Sequence, residues 1–160
     1  MKHITFIVLA LSLAASMGTA MAHPDATVKA APHLTDELAI VRVMKQQFDK
    51  PNSPLTAMPL AVEGEWAMAG WLQDGRGGRA LLNKRQGQWV IVVCGGDGLR
   101  QAGTLAQTGM KAHVAQTLAQ KLQSAESRLP AETLRKFSSF EGMLRVDSGA
   151  HGAHGTHHKH

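Results

Sequence analysis

Nine histidines occur in the 160-residue chain, and five of them fall in its last ten residues, as His151, His154, His157, His158 and His160. The stretch reads "SGAHGAHGTHHKH", with Gly, Ala, Thr and Lys between the imidazoles. Neutral imidazole is a ligand for transition metals. The spacing H-x2-H-x2-H-H-x-H lets several rings close on one ion, and Gly152 and Gly155 lower the resistance to wrapping. An unbroken histidine run would suggest an expression tag, whereas this one is spaced. Such a tract selects no ion by imposed geometry. The intrinsic order of affinities then favours Cu(II), with Zn(II) and Ni(II) as alternatives.

Two further residues are candidate ligands. The chain opens "MKHITFIVLALSLAASMGTAMAHPDA", with one early lysine, an apolar run and the small-x-small triplet "AMA" at 20–22. This reads as a secretory signal over 1–22, too short in its apolar part to span a bilayer comfortably. Cleavage after Ala22 would leave His23 first, offering its α-amine and its imidazole to one ion. Pro24 and Asp25 remove the usual amide-based site with a third-position histidine, so this pair needs another ligand, for which His33 is a candidate. Cys94 is the sole cysteine, so no internal disulfide can form. The helix expected to open at Asp97 would favour a thiolate, a strong Cu(I) ligand. The alternation Val90, Val92, Cys94 suggests instead a small buried apolar residue. The methionines Met44, Met58, Met68, Met110 and Met143 form no close cluster, and most of them read as core fillers.

The elements that must position these residues follow from periodicity. Residues 23–34 lack it and read as a flexible leader. "TDELAIVRVMKQQFDK" reads as a helix with Thr35 as N-cap, acids in the first turn and Pro51 as a stop; Leu38, Val41, Met44 and Phe48 lie on one face. After "PNSP" come short runs, "LAVEG", "EWAMAGWLQ", "GRALLNKR" and "QWVIVVC", divided by "EGE", "DGRGG" and "QG". They predict an antiparallel meander. "DGRGGR" joins two strands and lacks a phosphate loop's lysine and following helix. Both faces of "EWAMAGWL" and "WVIVV" are apolar, which predicts cover on both sides.

Asp97 is placed to cap a short helix. "KAHVAQTLAQKLQSAESRL" predicts a long one, with the stripe Val114, Leu118, Leu122, Ala125, Leu129 and with His113 off it. Pro130 suits the start of another helix in "PAETLRKF", and "FEGMLRV" is a candidate last strand. The expectation is a single α+β domain over 35–147: a meander of about four to five short strands packed against an N-terminal helix and a C-terminal helical segment. Beyond Asp147 no apolar side chain larger than Ala occurs. Residues 148–160 are therefore expected to be a metal-binding tail, disordered without a ligand.

Composition narrows the function classes. The formal charge is +5 and falls to +4 if residues 1–22, which carry Lys2 and no acid, are removed. The basic residues do not cluster and Tyr is absent, so nothing points to nucleic acid. No later segment has the length to enter a membrane once the signal is gone. Neither a CxxC nor a neighbouring acid–base pair accompanies Cys94, so binding is favoured over catalysis. A small enzyme using Cys94, or a binding scaffold with an incidental tail, remains as the alternative.

Several of these segments together resemble the small bacterial family called copper uptake system-associated proteins. The resemblance covers roughly Asp36 to Val146. It rests on "FDKPNSPL" at 48–55, "AGW" at 69–71, "GGRALL" at 77–82, Trp89, "CGGDGL" at 94–99 and "FEGMLRV" at 140–146. It implies copper trafficking in the periplasm, with a copper transporter or another periplasmic copper protein as partner. It carries over no catalytic residue. Cys94 and Asp97 fall inside the shared signature.

Overall fold

The computed structural model describes residues 32–146. Its order is α1 (Pro32–Phe48), β1 (Thr56–Glu63), β2 (Trp66–Gln73), β3 (Arg76–Arg85), β4 (Gln88–Gly95), a 3-10 turn (Asp97–Arg100), α2 (Ala102–Ala106), α3 (Ala112–Glu126), α4 (Ala131–Ser138) and β5 (Met143–Arg145). The strands pair antiparallel in the order β1-β2-β3-β4-β5. This is the α+β meander predicted above. Residues 1–31 and 147–160, and with them the signal and tail assignments, lie outside the described residues.

Tight turns explain the meander. Asp74–Gly75 and Gln86–Gly87 each place two successive residues at positive φ, between +50° and +79°. That is the twist-matched two-residue hairpin connection. Because the first turn needs only Asp74 and Gly75, β3 starts at Arg76. The five-residue break expected at "DGRGG" shrinks to two.

The sheet is the middle of three layers. On one face Ala67, Ala69, Ala80, Leu82, Trp89, Ile91 and Cys94 pack with Ile40 and Met44 of α1. On the other, Met68, Leu81 and Val93 pack with Leu99, Leu105, Ala115, Leu118 and Leu122. Cover on both sides is why β2 and β4 are apolar throughout.

Two expectations about α1 are corrected. In α1 the core face is Ile40 and Met44, both 0% exposed, flanked by Ala39, Val43 and Phe48, whereas Leu38 is 59% exposed. The helix also begins at Pro32, three residues before Thr35, so Thr35 is not its cap and the first turn holds no acid. Proline suits that first position, since its missing N–H would have no helical partner. Most of the methionines fill the core as expected: Met44, Met68 and Met110 are buried, while Met58 and Met143 are 45% and 58% exposed on the two edge strands.

Two irregularities matter for the site. Between Ala57 and Leu60 the β1–β2 register shifts, bringing Met58 and Pro59 against Gly70. A Cβ on Gly70 would lie 2.5 Å from Met58 O and 2.8 Å from the Phe137 ring. Only glycine fits there. In β4 a bulge at Val92 separates Leu81↔Val93 from Leu82↔Ile91. The extra residue reverses the alternation. Cys94 therefore shares a face with Ile91 and Trp89, not with Val90 and Val92.

Candidate functional site

Three regions bring chemistry-bearing side chains together. The first is a buried ionic cluster that the sequence reading missed. Arg79 rises from β3 and is 0% exposed, and Glu126 faces it from the last turn of α3 at 1%. Arg79 Nε donates to Glu126 Oε1 at 2.6 Å and Nη2 to Oε2 at 3.0 Å. This two-point geometry is the strong form of a guanidinium–carboxylate pair. Arg79 Nη1 donates to Asp97 Oδ1 at 3.2 Å, and Arg100 Nε lies 3.3 Å from Glu126 Oε2. Ser138 Oγ of α4 donates to the same Asp97 oxygen at 2.8 Å, and the Phe137 ring lies 5.4 Å from Arg79 Cζ.

Two guanidiniums meet two carboxylates, so the cluster carries no net charge. It ties β3, the 3-10 turn, α3 and α4 to one point. Asp97 does not cap the turn that it opens, because its carboxylate is turned to Arg79 and Ser138. The signal in the sequence was a complementary pair: an arginine inside the buried strand "GGRALL", and an acid four residues past Leu122 on the apolar stripe of α3.

The second region surrounds Cys94. Burial leaves the thiol 5% exposed and pushes its pKa up to about 11, since an apolar setting disfavours the thiolate. The 3-10 turn that follows is four residues long, and Cys94 sits as the small buried residue that the alternative reading expected. Cys94 borders an apolar cavity of about 150 Å³ with Phe48, Leu55, Trp71, Phe140 and Leu144. Phe140 meets Trp71 edge to face at 5.8 Å, and Trp71 packs its indole against Gly78, where a Cβ would lie 2.8 Å from the ring. The segment "FDKPNSPL" closes this end. Gln73 Nε2 donates to Phe48 O at 2.9 Å and to Ser53 O at 2.7 Å, and Leu55 N donates to Asp49 Oδ1 at 2.5 Å.

The third region is the end of the described chain. The N–H of Val146 donates to Val92 O at 2.9 Å, at the bulge. The Val146 side chain packs on the α1 side and lines a groove of about 850 Å³ between α1 and β4. Thr35, Arg42, Gln46, Gln88 and Trp89 line it as well. At its rim Lys84 Nζ and Trp89 Nε1 both donate to Asp36 Oδ1, at 2.6 and 3.0 Å.

Of the predicted ligands, His23, His151, His154, His157, His158 and His160 lie outside the described residues. His33 falls within α1, and nothing of its side chain is described. His113 is exposed on α3, as its place off the apolar stripe predicted. Among the described residues no group of three or more His, Cys, Asp or Glu side chains is gathered as a metal site. No helix among them is long and apolar enough to cross a membrane. No family model, no curated protein and no solved structure matches the chain.

Proposed function

We propose that this chain is a periplasmic copper-binding accessory protein, which buffers copper or hands it to a transporter or another periplasmic copper protein. The observation that carries the reading is the spaced tract His151, His154, His157, His158, His160 directly behind a folded domain. Imidazoles on an unconstrained chain follow the intrinsic order of affinities, in which Cu(II) leads. The likeness of residues 36–146 to copper uptake system-associated proteins supports the same reading. The secretory pattern of residues 1–22 supports export of the chain.

The domain's part in this reading is to carry the tract. It gathers no ligand set of its own among the described residues, so the copper capacity is assigned to the tail, with His23 as an added donor if cleavage follows Ala22. The alternative of a Cys94 enzyme draws no support from a buried, protonated thiol, because the thiolate is the nucleophile.

Titration of the exported chain with Cu(II) and Zn(II), read by intact mass, tests the proposal and gives the cleavage site. The full chain is expected to take up Cu(II) ahead of Zn(II). A chain ending at Asp147 is expected to lose most of that uptake. Equal uptake by both chains would overturn the tail assignment, and equal affinity for both ions would overturn the copper preference.

A further inference from the structure

Trp71 Nε1 is fully buried and has no hydrogen-bond partner among the described residues. A buried N–H left unpaired is costly, and an indole N–H ordinarily finds an acceptor when buried. Trp89 shows the ordinary case, since its Nε1 donates to Asp36 Oδ1. Trp71 stands opposite Gly78 in the β2–β3 pair. Its Cζ2, Cε2 and Nε1 atoms lie 2.8, 2.9 and 3.0 Å from where a Gly78 Cβ would be. The glycine thus lets the indole lie across β3 toward β4. There it bounds the apolar cavity of about 150 Å³ that Cys94 borders from β4. Gln73 also reaches this cavity, but its Nε2 is already given to Phe48 O and Ser53 O. No charged side chain lines it.

We propose that this cavity is a binding site for a small neutral molecule with an apolar body and one carbonyl oxygen, which accepts the Trp71 N–H. The size fits, since an apolar cavity of about 150 Å³ stays dry and takes a benzene-sized guest. Phe48, Leu55, Phe140 and Leu144 supply the apolar contact, and the Trp71 N–H sets the orientation, as the few polar groups of a ligand pocket do. The guest must be neutral, because a charge taken from water into this wall would find no opposite charge there. Water is a poor occupant, because a buried water needs about two to four polar partners. The Cys94 thiol keeps its proton at neutral pH, so it adds no charge and no strong acceptor to compete for the indole. The way in passes Leu144, which is 61% exposed on the short edge strand β5. This site lies apart from the histidine tract, goes beyond the copper reading and does not depend on it.

The test follows the three indole N–H resonances of the full chain in metal-free buffer, during titration with cyclohexanone and with methylenecyclohexane. The two probes share a shape, and only the ketone carries the oxygen. Cyclohexanone is expected to shift the Trp71 N–H saturably and to leave the Trp89 N–H, held by Asp36, in place. Methylenecyclohexane is expected to bind roughly 10-fold more weakly, as the loss of one hydrogen bond to a buried donor implies. Trp71→Phe assigns the resonance and removes the donor while keeping a ring. Calorimetry on that variant is expected to show the ketone no tighter than the hydrocarbon. Cys94→Leu, which fills the cavity, is expected to abolish the Trp71 shift. No saturable Trp71 shift with cyclohexanone would overturn the site, whether or not either variant folds. Equal affinity for the two probes would overturn the role of the indole N–H. A Trp71 shift that persists in a folded Cys94→Leu chain would overturn the placement in this cavity.

Discussion

Arg79 Nε lies 2.6 Å from Glu126 Oε1 with both side chains at most 2% exposed, and this one pair joins the central strand of the sheet to α3. A buried pair is costly to break, because removal of one partner strands the other charge away from water. Its net worth against a well-packed apolar pair is small for the same reason. Glu126→Gln is therefore expected to lower stability by about 3–5 kcal/mol, while the double variant Arg79→Met, Glu126→Leu recovers most of that loss. Urea unfolding of the three chains checks this. A Glu126→Gln chain as stable as the parent would show that Arg79 is held by Asp97 alone.

Cys94 supplies a pH prediction with a definite sign. Its pKa rises from an ordinary 9.0 to about 11 on burial. A group raised in the folded state adds stability below its unfolded pKa and loses it as pH climbs through the folded one. Stability is thus expected to fall between pH 9 and 11, and Cys94→Ala is expected to remove that component. Alkylation at pH 8 should be slow in the native chain and fast in denaturant. Fast native labelling at pH 8 would show a more accessible, more acidic thiol and would reopen the Cys94 enzyme reading.

The corrected face of α1 separates two neighbouring aliphatic residues. Ile40→Ala is expected to cost about 2–5 kcal/mol, as truncation of a core side chain does. Leu38→Ala, on the exposed face, is expected to stay within about 0.5 kcal/mol. Thermal or urea melts of both variants read the difference directly. A reversed order would mean that α1 is turned on its axis relative to the sheet.

Copper uptake by the tract should weaken as pH falls toward 5. Imidazole must lose its proton to ligate, and its unperturbed pKa is about 6.5. Affinity titrations at pH 7.5, 6.5 and 5 follow the loss. Affinity unchanged over that range would mean that carboxylates or the Cys94 sulfur hold the ion.

Much of the fold was legible because the elements announce themselves locally. The meander is written in turn residues such as Asp74–Gly75 and Gln86–Gly87, whose positive φ angles suit hairpins whatever surrounds them. The stripe through Leu118 and Leu122 marks α3 by its period alone. The contents of the sites were not local. The sequence holds Arg79 and Glu126 47 residues apart, and only packing of α3 on β3 makes them partners. The face of Cys94 depends on one extra residue at Val92, which parity counting along β4 cannot see. The choice of Ile40 over Leu38 depended on where α1 lands on the sheet, because its apolar residues reach almost all the way round. Short-range geometry is set by each residue and its neighbours in the chain, whereas burial and pairing are set by which surfaces meet. The sequence by itself therefore determined the elements, and the tertiary structure alone decided which side chains the domain keeps for its own interior.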